Sequence, residues 1–196
     1  MKRRALVIDD HLPSRTFLIK ALNKSGFEVA GEEAKGAKAL ELSIKTAPDI
    51  VLMAVGLRDM DGISAAKKIM EENPAPIVLL SSHHDPETIE GAKDAGVMAY
   101  LVKPLREEEL LPAVELAISR FDEFRSLRKE NEDLRRTLEA RKAIERAKGL
   151  LMKNQGLSEA EAFSLIQKKS MDMRKPMVEI AQAIVLTEEI KKEKAS

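Results

Sequence analysis

Cysteine is absent from all 196 residues, so the chain has no disulfide, no thiolate ligand and no thiol nucleophile, and nothing marks an oxidising compartment. Tryptophan is also absent and tyrosine occurs once. No apolar run approaches the roughly 20 residues that a membrane-spanning helix needs. The opening "MKRRALVIDDH" offers only Ala5 to Ile8 before two aspartates, too little for the apolar core of a signal peptide. The expectation is a soluble, cytoplasmic protein. An excess of one charge is missing too, with 33 basic and 33 acidic side chains. That balance hides an asymmetry. Residues 1–120 carry 16 Lys and Arg against 19 Asp and Glu, and residues 121–196 carry 17 against 14, so the second part is the one suited to an acidic partner.

An apolar content of 44% is enough for a real core, and 34% charged residues point to long solvated helices. Up to about residue 105, short apolar runs alternate with amphipathic stretches. The runs are "ALVID" (5–9), "FEVAGEEA" (27–34), "DIVLMA" (49–54), "PIVLLS" (76–81) and "MAYLV" (98–102). Helical patterns lie near 13–24, 36–46, 62–72 and 86–95. Asp85-Pro86 reads as an N-cap followed by Pro at the first helical position, and Gly26 and Gly96 stand where helices end. Alternation of this kind predicts right-handed βαβ crossovers and a parallel sheet, here an α/β, flavodoxin-like (βα)5 domain.

Beyond Pro104 the strand signal stops. One helical pattern runs from Glu107 to about Asn154. Within it Phe124, Leu127, Asn131, Leu134 and Leu138 recur in steps of 3 and 4, a heptad seam of about two repeats. Asn131 at an a position fixes register and favours two strands. A parallel coiled-coil homodimer is expected, which would also cover Phe121 and Phe124. Three shorter patterns follow: "KAIERAKGLLMKNQG", then "LSEAEAFSLIQKKSM" opened by a Ser158–Glu161 capping box, then a helix begun by Pro176. They predict a small three-helix bundle. The organisation read from the sequence is residues 1–120, a linker over 121–138, and 139–196.

The chemistry-bearing residues gather at strand ends. Asp9 and Asp10 close the first strand, Ala54 the third and Ser81 the fourth, and Lys103 follows the fifth. Adjacent carboxylates suit a hard divalent cation, while a hydroxyl and an ammonium suit phosphoryl oxygens. The motifs "VIDD" (7–10), "PDIVLMAVGLRDMDG" (48–62), "LLSS" (79–82) and "YLVKP" (100–104) resemble the receiver domain of two-component response regulators. The resemblance implies Mg²⁺ held by Asp10 directly, by Asp9 through water and by the Gly56 carbonyl. It also implies Ser81 and Tyr100 as switch residues, Lys103 as the pocket lysine, a cis Lys103-Pro104 bond and a sensor histidine kinase as partner. The family's phospho-accepting aspartate would stand at position 54, and Ala54 stands there instead. The intact remainder of the pocket favours an engineered Asp→Ala replacement over a natural pseudo-receiver, which would lose several pocket residues together. Arg58 stands where the family commonly has proline.

Residues from about 135 to 190 resemble the ANTAR output domain of AmiR- and NasT-type antiterminators, on "ARKAIERAKGLLM" (140–152), "LSEAEAFSLIQKKSM" (157–171) and "RKPMVEIAQAIV" (174–185). The implied function is binding of paired hairpins in nascent mRNA leaders, which causes transcription antitermination under receiver control. Candidate RNA contacts are Arg141, Lys142, Arg146, Lys148, Lys153, Lys168, Lys169, Arg174 and Lys175, led by Arg141, Lys148 and Lys175. Ala147, Leu151, Met152, Phe163 and Ile180 are expected in the core. With Phe163 buried and no Tyr or Trp after residue 120, aromatic base stacking is not expected. The alternative is a DNA-binding regulator with a helix-turn-helix, but its recognition helix would begin "PMVEIAQ", poor in base-reading side chains. No catalytic motif follows residue 105. The three histidines, His11, His83 and His84, fall in receiver loops, with the 83–84 pair expected to face solvent, so an enzyme is not expected.

Overall fold

A computed structural model describes residues 2–82 and 85–193; the expectation for His83 and His84 lies outside the described residues. The chain divides into two compact units, Met1–Arg125 and Ser126–Ser196.

In the first unit, β1 (Arg4–Ile8), β2 (Glu28–Glu33), β3 (Ile50–Ala54), β4 (Ile77–Ser81) and β5 (Ala99–Val102) form one sheet in the order β2-β1-β3-β4-β5, every pair parallel. Helices α1 (Leu12–Lys24), α2 (Ala39–Thr46, preceded by a 3-10 turn at Gly36–Lys38), α3 (Gly62–Glu72) and α4 (Pro86–Asp94) make the crossovers. The strand order reverses beside β1, and in such sheets ligands sit at the carboxyl ends next to that reversal. β3 and β4 are buried at every position because helices cover both faces, which is why they read as unbroken apolar runs.

Side-chain alternation splits the core in two. Ala5, Val7, Ile50, Leu52, Val78 and Leu80 face α1 and the helix that follows β5, and Leu6, Ile8, Val51, Met53, Ile77 and Leu79 face α3. The predicted caps form. The Asp85 side chain accepts from the Thr88 amide at 2.8 Å, and Gly26 and Gly96 hold the positive φ that ends α1 and α4. Gly62 is needed for another reason: a Cβ there would collide with the Ala54 carbonyl.

Helix α5 runs from Glu107 to Gln155 as one element. Its first turns place Leu110, Val114, Ala117 and Ile118 on the sheet. Phe121 continues that stripe and is 3% exposed, with the Arg125 guanidinium 6.0 Å from its ring centroid. The expectation that Phe121 depends on a coiled-coil partner is therefore corrected, because the first unit buries it.

In the second unit, Ala147 and Leu151 of α5 pack with Ala162 and Ile166 of α6 (Glu159–Met173) and with Ile180 and Ala181 of α7 (Met177–Glu193). The capping box of α6 is present: the Ser158 amide donates to Glu161 at 2.9 Å and the Glu161 amide to the Ser158 hydroxyl at 3.3 Å. Two core expectations are corrected. Met152 is 40% and Phe163 41% exposed, because each lies off the stripe its helix turns inward.

Replacing Phe121 by Ala is expected to remove about 3 kcal/mol of receiver stability, the usual scale for emptying a buried aromatic site. Equilibrium denaturant unfolding measures it. An unchanged midpoint would mean that Phe121 is not a core residue.

Candidate functional site

The acidic site forms where β1, β3 and β5 end. β1 stops at Ile8, so Asp9 and Asp10 lie just past it. Asp9 has no exposed surface. One of its oxygens accepts from the His11 amide at 2.9 Å. The other accepts from the Ser14 hydroxyl at 2.7 Å and from the Lys103 ammonium at 2.6 Å. Arg15 donates to the Asp9 carbonyl at 2.6 Å and pairs with Glu32 at 2.9 Å. His11 caps α1, and Pro13 follows in its first turn, so the local start of the helix aims Ser14 and Arg15 back at β1. Lys103 enters the site from the loop after β5, where the Lys103-Pro104 bond is cis.

Asp10 is half-buried and meets the Arg58 guanidinium, with Nε 3.1 Å from its carboxylate. Asp10, Gly56, Lys103 and Ser82 line an open cleft of about 590 Å³. Ala54 closes β3 at 2% exposure, Ser81 is buried beside it in register with Val102, and Tyr100 is half-buried on the α3 side of the sheet. Asp59 accepts from the Gly36 and Ala37 amides at 2.9 and 3.1 Å. Those amides hold its carboxyl below the usual range and tie the loop after β3 to the start of α2.

As a cation site this donor set is incomplete. Two carboxylates and the Gly56 carbonyl are the right atom types for Mg²⁺. Each carboxylate, however, already carries a protein cation, and among the described residues no group of three or more His, Asp or Glu side chains gathers. The pocket's two negative charges are balanced by Lys103 and Arg58. Sequence reasoning missed this balance, along with Ser14 and Arg15. Arg58 was legible only as a departure from proline.

The second candidate surface is basic. Arg141, Lys142, Arg146, Lys153, Lys168, Lys169, Arg174 and Lys175 are exposed. Lys142 pairs with Glu139 at 2.9 Å, Arg146 with Glu189 at 2.5 Å and Lys175 with Glu179 at 3.3 Å. Lys148 differs from the rest. Its side chain is 9% exposed, and its ammonium lies 2.6 Å from Glu159 and 2.9 Å from Glu145, bridging α6 to α5. The hydrogen bonds it donates to Glu159 and Glu145 raise its pKa, and the same ammonium lowers that of Glu159. Along the linker, Phe124, Leu127, Leu134 and Leu138 are 46%, 59%, 63% and 52% exposed, and Asn131 is exposed among them.

Comparison with known proteins joins the two surfaces. Residues 5–115 match the response regulator receiver domain and residues 132–185 the ANTAR domain. The chain belongs to the response regulators and carries an ANTAR output domain. It is 43% identical over 185 residues to the transcriptional regulatory protein PdtaR of Mycobacterium tuberculosis, covering 94% of this chain and 90% of that protein. The receiver alone is 35% identical to the chemotaxis protein CheY of Thermotoga maritima, over 58% of this chain and 96% of that one. Among solved structures, the receiver domain of the response regulator NarL from Mycobacterium tuberculosis superposes with a TM-score of 0.57 at 32% identity, covering 60% of this chain and 97% of that domain. The response regulator thus combines a five-stranded parallel receiver with a helical output unit. Among its described residues no helix is long and apolar enough to cross a membrane.

The Lys148–Glu159 bridge predicts a pH signature. The depressed Glu159 contributes stability above the ordinary carboxylate range and loses it as pH falls through its folded value. The raised Lys148 contributes below the ordinary lysine range and loses it as pH rises past that range. The Glu159→Gln variant should therefore melt below the parent at neutral pH and converge with it as pH falls below the ordinary carboxylate range. Thermal melts followed by circular dichroism measure this, and a gap independent of pH would refute the assignment.

Proposed function

We propose that this response regulator is a non-enzymatic, cytoplasmic transcription antiterminator. It binds hairpins in nascent mRNA leaders as a homodimer and takes its input through the receiver from a sensor histidine kinase. The observation that carries the reading is the coincidence of the ANTAR match, residues 132–185, with a helical unit whose exposed surface presents Arg141, Lys142, Arg146, Lys153, Lys168, Lys169, Arg174 and Lys175. Cations on exposed helices neutralise RNA phosphates, and single-stranded loops are where RNA sequence is read. Lys148, a leading candidate from the sequence, is assigned instead to positioning α5 against α6, since its ammonium is engaged by two carboxylates. A DNA-reading helix-turn-helix is less well supported. Ile180, in the first turn of the helix that would enter the major groove, is buried in the unit's own core.

Dimerisation is proposed through the seam from Phe124 to Leu138. Its exposed apolar side chains recur at heptad spacing between charged neighbours, and Asn131 would set the register. Two output units on one dimer would raise the effective concentration of the second on an RNA with two hairpins. Replacing Leu127 and Leu134 together by Glu is expected to give a monomer in sedimentation and to weaken two-hairpin binding at least tenfold, while a single hairpin is bound as before. A dimer mass for that variant would remove the seam from the mechanism.

The receiver of this chain is proposed to be deficient in phosphorylation at position 54, where alanine offers no carboxylate. Mg²⁺ is expected to bind weakly, through Asp9, Asp10 and Gly56, against competition from Lys103 and Arg58. Acetyl phosphate should not label the parent chain. Ala54→Asp should become labelled, and Ala54→Asp with Arg58→Pro labelled faster and at lower Mg²⁺. Acid-labile phosphate on the parent chain would overturn this part. The function itself is tested by mobility shift of a two-hairpin RNA against duplex DNA of matched length at one salt concentration. The parent should bind the RNA preferentially and weakly, and phosphorylated Ala54→Asp more tightly. Preference for the duplex would reverse the reading.

A further inference from the structure

Resting on the RNA-binding reading of the second unit, we propose that the groove between α5, α6 and α7 seats one unstacked RNA loop base, its flanking phosphates held by Lys169, Arg174 and Lys175. The groove encloses about 310 Å³, at the small end of ligand pockets. Its floor is apolar: Leu151 and Ile180 are buried core residues and Ile184 is half-buried against them. Its rim is polar, with Lys169, Lys175 and Glu179 at the edge. This pairing of a dry floor with a charged rim suits a nucleobase, whose faces are apolar and whose edges hydrogen-bond. A purely apolar partner would leave the rim unsolvated. A second copy of this chain would set one cationic rim against another.

Arg174 supplies an independent observation. It ends α6 with φ 52° and ψ 41°, the left-handed conformation in which glycine is the favoured residue. The turn is closed by main-chain and serine contacts alone. The Lys175 amide donates to the Ser170 carbonyl at 3.0 Å, and the Ser170 hydroxyl donates to the Lys175 carbonyl at 2.5 Å. Glycine would close the same turn, so its backbone does not call for arginine. What the residue adds is an exposed guanidinium flanked in sequence by two groove-lining residues, Met173 and Lys175. Among the described residues no carboxylate pairs with Arg174 or Lys169. Glu179 is held 3.3 Å from Lys175 in an exposed pair, weak enough to re-partner, and its carboxylate can accept from a base amine. Every RNA base carries an N–H donor on its Watson–Crick edge, so this contact orients the base without selecting among the four.

Ala183 is exposed on α7 and lines the groove, so Ala183→Phe fills it without opening the core. Fluorescence anisotropy of the full chain at fixed salt would use a synthetic two-hairpin RNA and a set of the same RNA with each loop nucleotide made abasic in turn. Circular dichroism melts would verify the fold. If Ala183→Phe unfolds the domain, Thr187→Phe, one turn further along the same groove, replaces it. The filled variant should keep the parent melting point and lose about 10- to 100-fold in affinity, the scale of burying one flat apolar face against aliphatic side chains. One abasic position should cost the parent a similar factor and cost the filled variant nothing more. Arg174→Gly should melt at or above the parent temperature, bind several-fold more weakly and lower the salt slope by about one. Parent-like affinity in the filled variant, with an undiminished abasic penalty, would show the groove empty while leaving RNA binding intact. Failure of the parent itself to bind hairpin RNA would remove both the groove's role and the reading beneath it.

Discussion

A carboxylate with no exposed surface constrains the receiver more than any other single group. Asp9 cannot keep its charge in the interior unless its oxygens are satisfied on the spot, and an amide, a hydroxyl and an ammonium do so. These contacts bring the end of β1, the start of α1 and the loop after β5 to one point. Removing Lys103 would leave an uncompensated buried charge, a loss of about 3–5 kcal/mol where the partner is fully desolvated. Asp9 and Lys103 therefore have a structural reason to stay together even in a chain with alanine at position 54. Their presence is not by itself a sign of working phosphoryl chemistry. Asp10 is the more telling residue. It is half-buried, and its charge is met by Arg58, whose side chain is largely in solvent. An exposed pair of this kind contributes little to stability. It does set the charge of the cleft, which a free Asp10 would leave negative.

Helix α5 shows how one continuous element changes its task along its length. Packing on a sheet asks for a wide apolar stripe, and Leu110, Val114, Ala117, Ile118 and Phe121 provide it. A coiled-coil seam asks for two apolar positions per heptad, and the segment from Phe124 to Leu138 has that narrower pattern with charge around it. Packing inside a bundle widens the stripe again at Ala147 and Leu151. Phe121 and Phe124 are three residues apart, a step common to both patterns, so spacing alone could not assign Phe121. Burial assigns it to the receiver.

Much of the fold could be read from the chain because its strands are covered on both faces. Unbroken runs such as Ile50 to Ala54 and Ile77 to Ser81, bounded by turn residues, leave little choice of element, and strand–helix alternation leaves little choice of topology. The caps at Asp85 and Ser158 were legible because their chemistry is local. What escaped were contacts made from one element or loop to another. Ser14 reaching Asp9, Arg58 reaching Asp10 and Lys148 reaching Glu159 all depend on which helix face meets which neighbour. Residue type alone points Phe163 and Met152 to the core, yet Ala162 and Ile166 set the buried stripe of α6 and Ala147 and Leu151 that of α5. A hint for Lys148 was present, since Glu145 stands three residues before it and it lies between those two core positions.

The distribution of partners divides the basic residues of the output unit more sharply than their number does. A lysine held by two carboxylates, as Lys148 is, presents no net positive field, and binding a phosphate there would first cost the bridge between α5 and α6. Arg141, Lys153, Lys168, Lys169 and Arg174 have no carboxylate partner among the described residues, so each can release a counterion when a phosphate arrives. Between these extremes Lys142, Arg146 and Lys175 sit in exposed pairs, which screening by salt weakens as it weakens phosphate attraction. The attraction for a polyanion is thus carried by fewer side chains than the sequence count implies. These lie along the last third of α5 and around the end of α6. A unit with so few free cations binds each hairpin modestly, which is the regime in which tethering a second unit through the Phe124–Leu138 seam has the largest effect on total affinity.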